Sequence, residues 1–96
     1  MIKEEVTTQE EFEEATQDRV IVDFYASWCG PCRQLAPVLE EMDVPVVKLD
    51  VDENSNLAQT YGVMSLPTLE LFEEGEELDR IVGATDKKSI QELYEA

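Results

Sequence analysis

One stretch, residues 20–51, restricts the folding of this chain more than any other. Val20, Ile21, Val22, Asp23, Phe24, Tyr25 and Ala26 form a β-branched and aromatic run without clean alternation, the pattern of a strand covered on both faces. Leu35, Val38, Leu39 and Met42 then recur at i, i+3, i+4 and i+7, one stripe of an amphipathic helix, and Pro37 inside that helix is expected to kink it. Only Asp43 and Val44 follow before a second buried-type strand, residues 45–51, interrupted by Lys48. A strand, a helix and a strand within about thirty residues require parallel strands joined by a right-handed crossover. The expected class is therefore α/β, with helices on both faces of the sheet.

The flanking segments read as smaller units around that core. Residues 2–6 suit a short strand, and Thr8 with Glu11 forms a capping box for a helix carrying Phe12 and Ala15 and ending near residues 16–18. Asn54 or Ser55 caps a helix with Leu57, Ala58 and Tyr61 on one face, stopped by Gly62. An uncharged loop containing Met64, Ser65, Leu66 and Pro67 leads to a strand over 68–72, a turn over 73–77 and a returning strand over 78–82. Gly83 and Ala84 end that hairpin, and Thr85 or Asp86 caps a last helix with Ile90, Leu93 and Tyr94 inward. At 96 residues the chain has room for one core, so a single domain over 1–96 is expected.

Charge narrows the function classes. The net charge is −16, from 23 acidic and 7 basic side chains, and such a polyanion repels phosphate backbones and anionic bilayers. Neither nucleic acid nor a membrane is an expected partner. The acid is unevenly spread: from Val20 to Gln34 the only ionisable groups besides two thiols and Tyr25 are Asp23 and Arg33, and from Gly62 to Leu69 there are none. The segment from Asp50 to Asn54 imitates the start of a calcium loop, but Ser55 stands where the turn needs glycine and Tyr61 where a bidentate glutamate belongs. The first residues lack the apolar core of a secretory signal, which makes the cytoplasm the expected location.

Trp28, Cys29, Gly30, Pro31 and Cys32 hold the only tryptophan and the only cysteines, at the junction of the first long strand and its helix. Pro31 suits the first helical turn, where a missing amide is harmless, and this places Cys29 at or beside the N-cap. Cysteines at this spacing have Cα atoms about 5 to 6 Å apart, within disulfide range. Cys29 faces the positive end of the helix dipole, which favours thiolate and marks it as the nucleophile. Cys32, further into the helix, is expected to be less exposed and to resolve the mixed disulfide. Asp23, an acid in an apolar strand, is the candidate base for that step, with Lys48 on the neighbouring strand moderating its charge. Asp23 and Lys48 also read as a buried pair that ties two strands together, or Lys48 as a side chain reaching solvent. A zinc site lacks ligands, since no further cysteine or histidine exists.

At this point the residues resemble the thioredoxin family, of which the Cys-x-x-Cys motif is itself a well-known mark. The resemblance runs from Val22 to Cys32, through Lys48, Leu49, Asp50, Val51 and Asp52, to Pro67 and Thr68, Gly75, and Gly83 with Ala84, in order along the whole chain. It implies a five-stranded mixed sheet of order 1-3-2-4-5 flanked by four helices. It also implies a cis-proline at Pro67 and a substrate groove lined by Trp28, Gly30, Pro31, Met64, Ser65, Leu66, Pro67, Gly83 and Ala84. The implied activity is reduction of protein disulfides through a redox-active Cys29–Cys32 disulfide, with no bound cofactor, by a monomer recharged by a thioredoxin reductase. Gly30 and Pro31 between the cysteines, and the lack of any histidine, favour reduction over oxidation or isomerisation. The rival reading is a non-redox binding module, or a subunit of a larger assembly, that uses the same groove.

Overall fold

The computed structural model describes all 96 residues. Its elements follow in the order β1 (Ile2–Val6), α1 (Gln9–Ala15), β2 (Val20–Tyr25), α2 (Gly30–Glu41), β3 (Val46–Asp50), α3 (Ser55–Thr60), β4 (Thr68–Glu73), β5 (Glu76–Val82) and α4 (Lys87–Tyr94). The five strands form one sheet in the order β1-β3-β2-β4-β5. Strand β3 is parallel to both β1 and β2, whereas β4 runs antiparallel to β2 and to β5. This is the mixed sheet with four helices that the resemblance implies.

The unbroken apolar character of β2 follows from its central place. Ile21 belongs to a core formed with Val46, Leu69 and Leu71 of the sheet, Leu35 and Leu39 of α2, and Ile90 and Leu93 of α4. Its neighbours Val20, Val22 and Phe24 point the other way, into a core with Val6, Val47, Leu49 and Phe72, closed by Phe12 of α1 and Leu57 of α3. Each such side chain contributes about 1.5–3 kcal/mol by leaving water. A strand supplying two cores has no face left for solvent, so the period-two signal is lost.

Local chemistry sets the ends of the elements. Thr8 caps α1 by accepting from the Glu11 amide at 3.1 Å, and Asp86 caps α4 by accepting from the Ser89 amide at 2.8 Å. The Glu11 carboxylate reaches back one residue further than a capping box requires, to the Thr7 amide at 2.8 Å. Asn54 occupies the N-cap of α3 but makes no side-chain cap. Helix α2 continues through Pro37 to Glu41, with the carbonyl of Arg33 losing its helical donor there. The β4–β5 hairpin turns through Glu74 and Gly75, at φ 55° and 79°, the left-handed pair that matches the twist of the strands.

The β1–β3 ladder contains one irregularity. Ile2 lies opposite Val46 but Glu4 lies opposite Val47, so Lys3 is an extra residue and the register shifts. From there Glu5 stands opposite Lys48 and Val6 opposite Leu49.

Candidate active site

Strand β2 delivers the chain to the reactive loop. Ala26 is fully buried and packs with Cys29 and Cys32, and its carbonyl accepts from the Cys29 amide at 3.1 Å, which closes a tight turn into α2. Cys29 is the N-cap, Gly30 and Pro31 open the helix, and Cys32 lies in the first turn. The two cysteines form a disulfide across Cα atoms 5.3 Å apart. The Cys32 amide donates to Cys29 Sγ at 3.2 Å, so an otherwise unused helix N–H already points at that sulfur. Arg33 donates to the Ser27 carbonyl at 2.9 Å and braces the loop from outside.

The expected difference in exposure between the cysteines is absent, for Cys29 and Cys32 are 5% and 6% exposed. The reason is the bond itself, which joins both sulfurs in one small apolar cluster at the helix start. What separates them is the surface they meet. Cys29, and not Cys32, lines an open cleft of about 530 Å³ formed with Trp28, Gly30 and Pro31 on one side and Met64 and Leu66 on the other. Trp28 and Met64 are 67% and 95% exposed, large apolar groups left in water beside a reactive bond. The Trp28 indole is held by its Nε1, which donates to Asp52 at 2.8 Å.

The cleft departs from the expected groove in three ways. Its far wall is α3 and its approaches, with Val51, Ser55, Ala58, Gln59 and Val63, none of which the sequence marks as groove residues. Ala58 shares its apolar stripe with Leu57 and Tyr61, and no sequence signal separates the member that faces the cleft. Ala84 lines a second depression on the other side of Pro31, with Gln34, Leu35, Val38 and Thr85. Ser65, Gly83 and Pro67 line neither hollow, and Pro67 is buried. Gly83, at φ 94°, instead donates its amide to the Pro67 carbonyl at 2.8 Å and ties the end of β5 to the Leu66–Pro67 peptide, which is cis.

Asp23 is 2% exposed on the sheet face that α2 covers, and its Oδ1 is buried without a hydrogen-bond partner. Lys48 is its neighbour in register on β3, yet the two form no direct ion pair. The Lys48 ammonium lies instead over the Tyr25 ring, 4.1 Å from its centroid. Burial pushes the Asp23 carboxyl up to about 6; the Lys48 charge holds it down and the Glu5 charge adds to the rise. Tyr25 donates its hydroxyl to the Glu5 carboxylate, and burial together with that bond lifts its phenol above the usual range.

Comparison with known proteins agrees with this geometry. The family model described as Thioredoxin matches residues 3–96. The thioredoxin of Bacillus subtilis is 48% identical over 83% of this chain and 83% of its own, and that of Staphylococcus haemolyticus is 44% identical over 92% and 91%. Among solved structures, a point mutant of the thioredoxin from Halobacterium salinarum superposes with a TM-score of 0.87 at 45% identity, covering 95% of this chain and 86% of that one. Plasmodium falciparum thioredoxin gives a TM-score of 0.87 at 37% identity, with 96% of each chain covered. The chain belongs to the thioredoxin family, and its Cys29–Cys32 pair is the redox-active disulfide of a thiol–disulfide oxidoreductase.

Proposed function

We propose that this protein works as a monomeric reductant of exposed disulfides in other proteins, recharged by a thioredoxin reductase in the cytoplasm. The observation that carries this reading is the position of Cys29, an N-cap sulfur receiving an amide hydrogen bond at the edge of an open apolar cleft. In the dithiol form the Cys29 thiolate attacks one sulfur of the substrate disulfide, and the other sulfur leaves as a thiolate and takes a proton. Asp23 takes the proton of Cys32, whose sulfur then attacks Cys29 Sγ. The second substrate sulfur leaves, and two electrons have passed from the cysteine pair to the substrate. With its carboxyl near 6, Asp23 is mostly ionised at neutral pH and able to accept that proton. The reductase returns the two electrons.

Exposed Trp28 and Met64, with half-buried Leu66 ahead of its cis peptide to Pro67, form the docking surface in this reading. The net charge of −16 argues against nucleic acid and anionic bilayers as partners, and no helix is long and apolar enough to cross a membrane. The purified dithiol form should reduce insulin disulfides under dithiothreitol, and Cys29→Ser should abolish that turnover. Asp23→Asn should slow resolution of a trapped mixed disulfide at pH 7 by roughly a hundredfold. An unchanged resolution rate would remove Asp23 from the mechanism while leaving the cysteine chemistry in place.

A further inference from the structure

Three ionisable side chains share one row across three parallel strands. Glu5 of β1 lies opposite Lys48 of β3, and Lys48 lies opposite Asp23 of β2. The row exists only because Lys3 is an extra residue in β1; with a regular ladder Glu4 would stand opposite Lys48 and Glu5 would point to the other face. Glu5 then makes one specific contact, accepting the Tyr25 hydroxyl. Tyr25 is the residue on whose ring the Lys48 ammonium rests, at 4.1 Å. A phenol that donates to a carboxylate carries more negative charge in its ring, which strengthens its hold on a cation.

We propose that Glu5 is a positioning residue for the resolving step: by fixing Tyr25 it keeps the Lys48 ammonium on the aromatic ring and off Asp23, whose carboxyl stays unpaired on the face that α2 covers. The inference rests on Asp23 being the base and adds how its charge state is set. Were Lys48 free to pair with Asp23, the carboxylate would be held by a direct ion pair and become a weaker base.

The groups facing Asp23 are few. Strand β3 brings Lys48 and, opposite Tyr25, Asp50; β1 brings Glu5; β2 itself brings Tyr25; and β4 brings only Leu69. Helix α2 brings Cys29 and Cys32 at its start, while its Arg33, Glu40 and Glu41 are exposed. Helix α4 covers the same face with Ile90 and Leu93, and its Lys87, Lys88 and Glu92 are exposed. Glu5 is therefore the one acid joined to the Lys48–Asp23 pair by a side-chain contact, through Tyr25.

The test compares Glu5→Gln with Glu4→Gln, which removes the same charge one residue away on the other side of the strand. Carboxyl ¹³C NMR of the oxidised protein reads the titration of Asp23 directly, and trapping a mixed disulfide on the dithiol form reads the resolving rate from pH 5 to 8. Glu5→Gln should move the Asp23 midpoint, and the acid limb of the rate profile with it, down by roughly half a unit or more, and Glu4→Gln should move neither. Tyr25→Phe, which keeps the ring and the Glu5 charge but loses the bond between them, should also lower the midpoint; no shift there would leave only the direct charge of Glu5 and overturn the proposal. Equal shifts in Glu5→Gln and Glu4→Gln would reduce the effect to general surface charge and overturn it too, as would no shift in either. Wild-type resolution by Asp23→Asn would overturn the base reading and this one together. Slowed resolution in Asp23→Asn with an unmoved midpoint in Glu5→Gln would leave the base standing and remove Glu5 alone.

Discussion

Two acids are buried in the middle of this sheet, side by side and on opposite faces. Asp23 of β2 lies opposite Leu69, and the next residue of β4, Glu70, lies opposite Val22. Asp23 faces α2; Glu70, fully buried, faces the core closed by α1 and α3. Each has a cation beside it in register, and each cation has a further engagement: Lys48 rests on Tyr25 without pairing with Asp23, and Arg80 pairs with Glu70 while also serving other groups. Arg80 approaches Glu70 Oε2 at 3.2 Å, but its guanidinium is bidentate to Glu77 at 2.7 and 2.9 Å and also donates to the Tyr61 carbonyl at 2.6 Å. Burial and the Glu77 charge push Glu70 up to about 8, with Arg80 pulling the other way.

The contrast lies in which side of neutrality each acid ends on. At pH 7 Glu70 is mainly protonated, and Arg80 serves as a clamp from the hairpin to the end of α3. Asp23 is mainly ionised on the face that the cysteine-bearing helix covers. Burial raises both carboxyls, and the neighbouring charges set how far: Glu77 adds to the rise at Glu70, and in the reading proposed above only Asp23 is left to act as a base.

Both carboxyls are raised, the reverse of the usual ion-paired acid, so the sign of their effect on stability is also reversed. Each is harmless below its unfolded value, and each costs stability as pH climbs from that value through the folded one. The largest expected effect is therefore at Glu70. Glu70→Gln should stabilise the fold by an amount that grows as pH rises through about 8 and vanishes below about pH 4, while mixed-disulfide resolution is unchanged. Urea denaturation from pH 4 to 9 measures it, and an altered resolution rate would break the contrast. Asp23→Asn should stabilise by up to about 3 kcal/mol above pH 6, again vanishing near pH 4, and here the resolving rate falls. A gain that continues to grow above pH 7 would mean that Asp23 titrates as Glu70 does and is no base at neutrality.

Arg80→Met should cost about 2 kcal/mol at pH 7, because it removes the Tyr61 bond and leaves Glu77 alone while Glu70 is already neutral. A loss twice that size would show Glu70 to be ionised. The substitution also frees the chain just before the cleft residues Val63, Met64 and Leu66, so a raised KM for insulin with little change in kcat would show that the clamp shapes the docking surface.

Much of this is legible in the residues. The βαβ unit, the cysteine pair at a helix start and the helix caps are local patterns, and Asp23 stands out as the one charge in an apolar strand. Glu70 does not stand out, because Leu69 and Leu71 alone make a plausible strand and nothing local says that the intervening position is also buried. The sequence leaves the Lys48 ammonium either paired with Asp23 or reaching solvent; its place on the Tyr25 ring, in the reading proposed above, depends on Glu5, which reaches that row through a register shift that no propensity scale detects. Cleft residues from α3 escape a reading of the sequence for a similar reason, since the way one helix lies against a distant loop is a property of packing.

The hydrogen bond from the Cys32 amide to Cys29 Sγ is present while that sulfur is still part of the disulfide. The dipole that will stabilise a thiolate is thus in position before the charge arrives, and a two-electron change at the sulfurs asks little reorganisation of the backbone around them. A donor already aimed at the sulfur in the disulfide form lowers the reorganisation that forming a thiolate there requires. That is the property expected of a shuttle, which must accept electrons from one protein and give them up to another through the same few atoms.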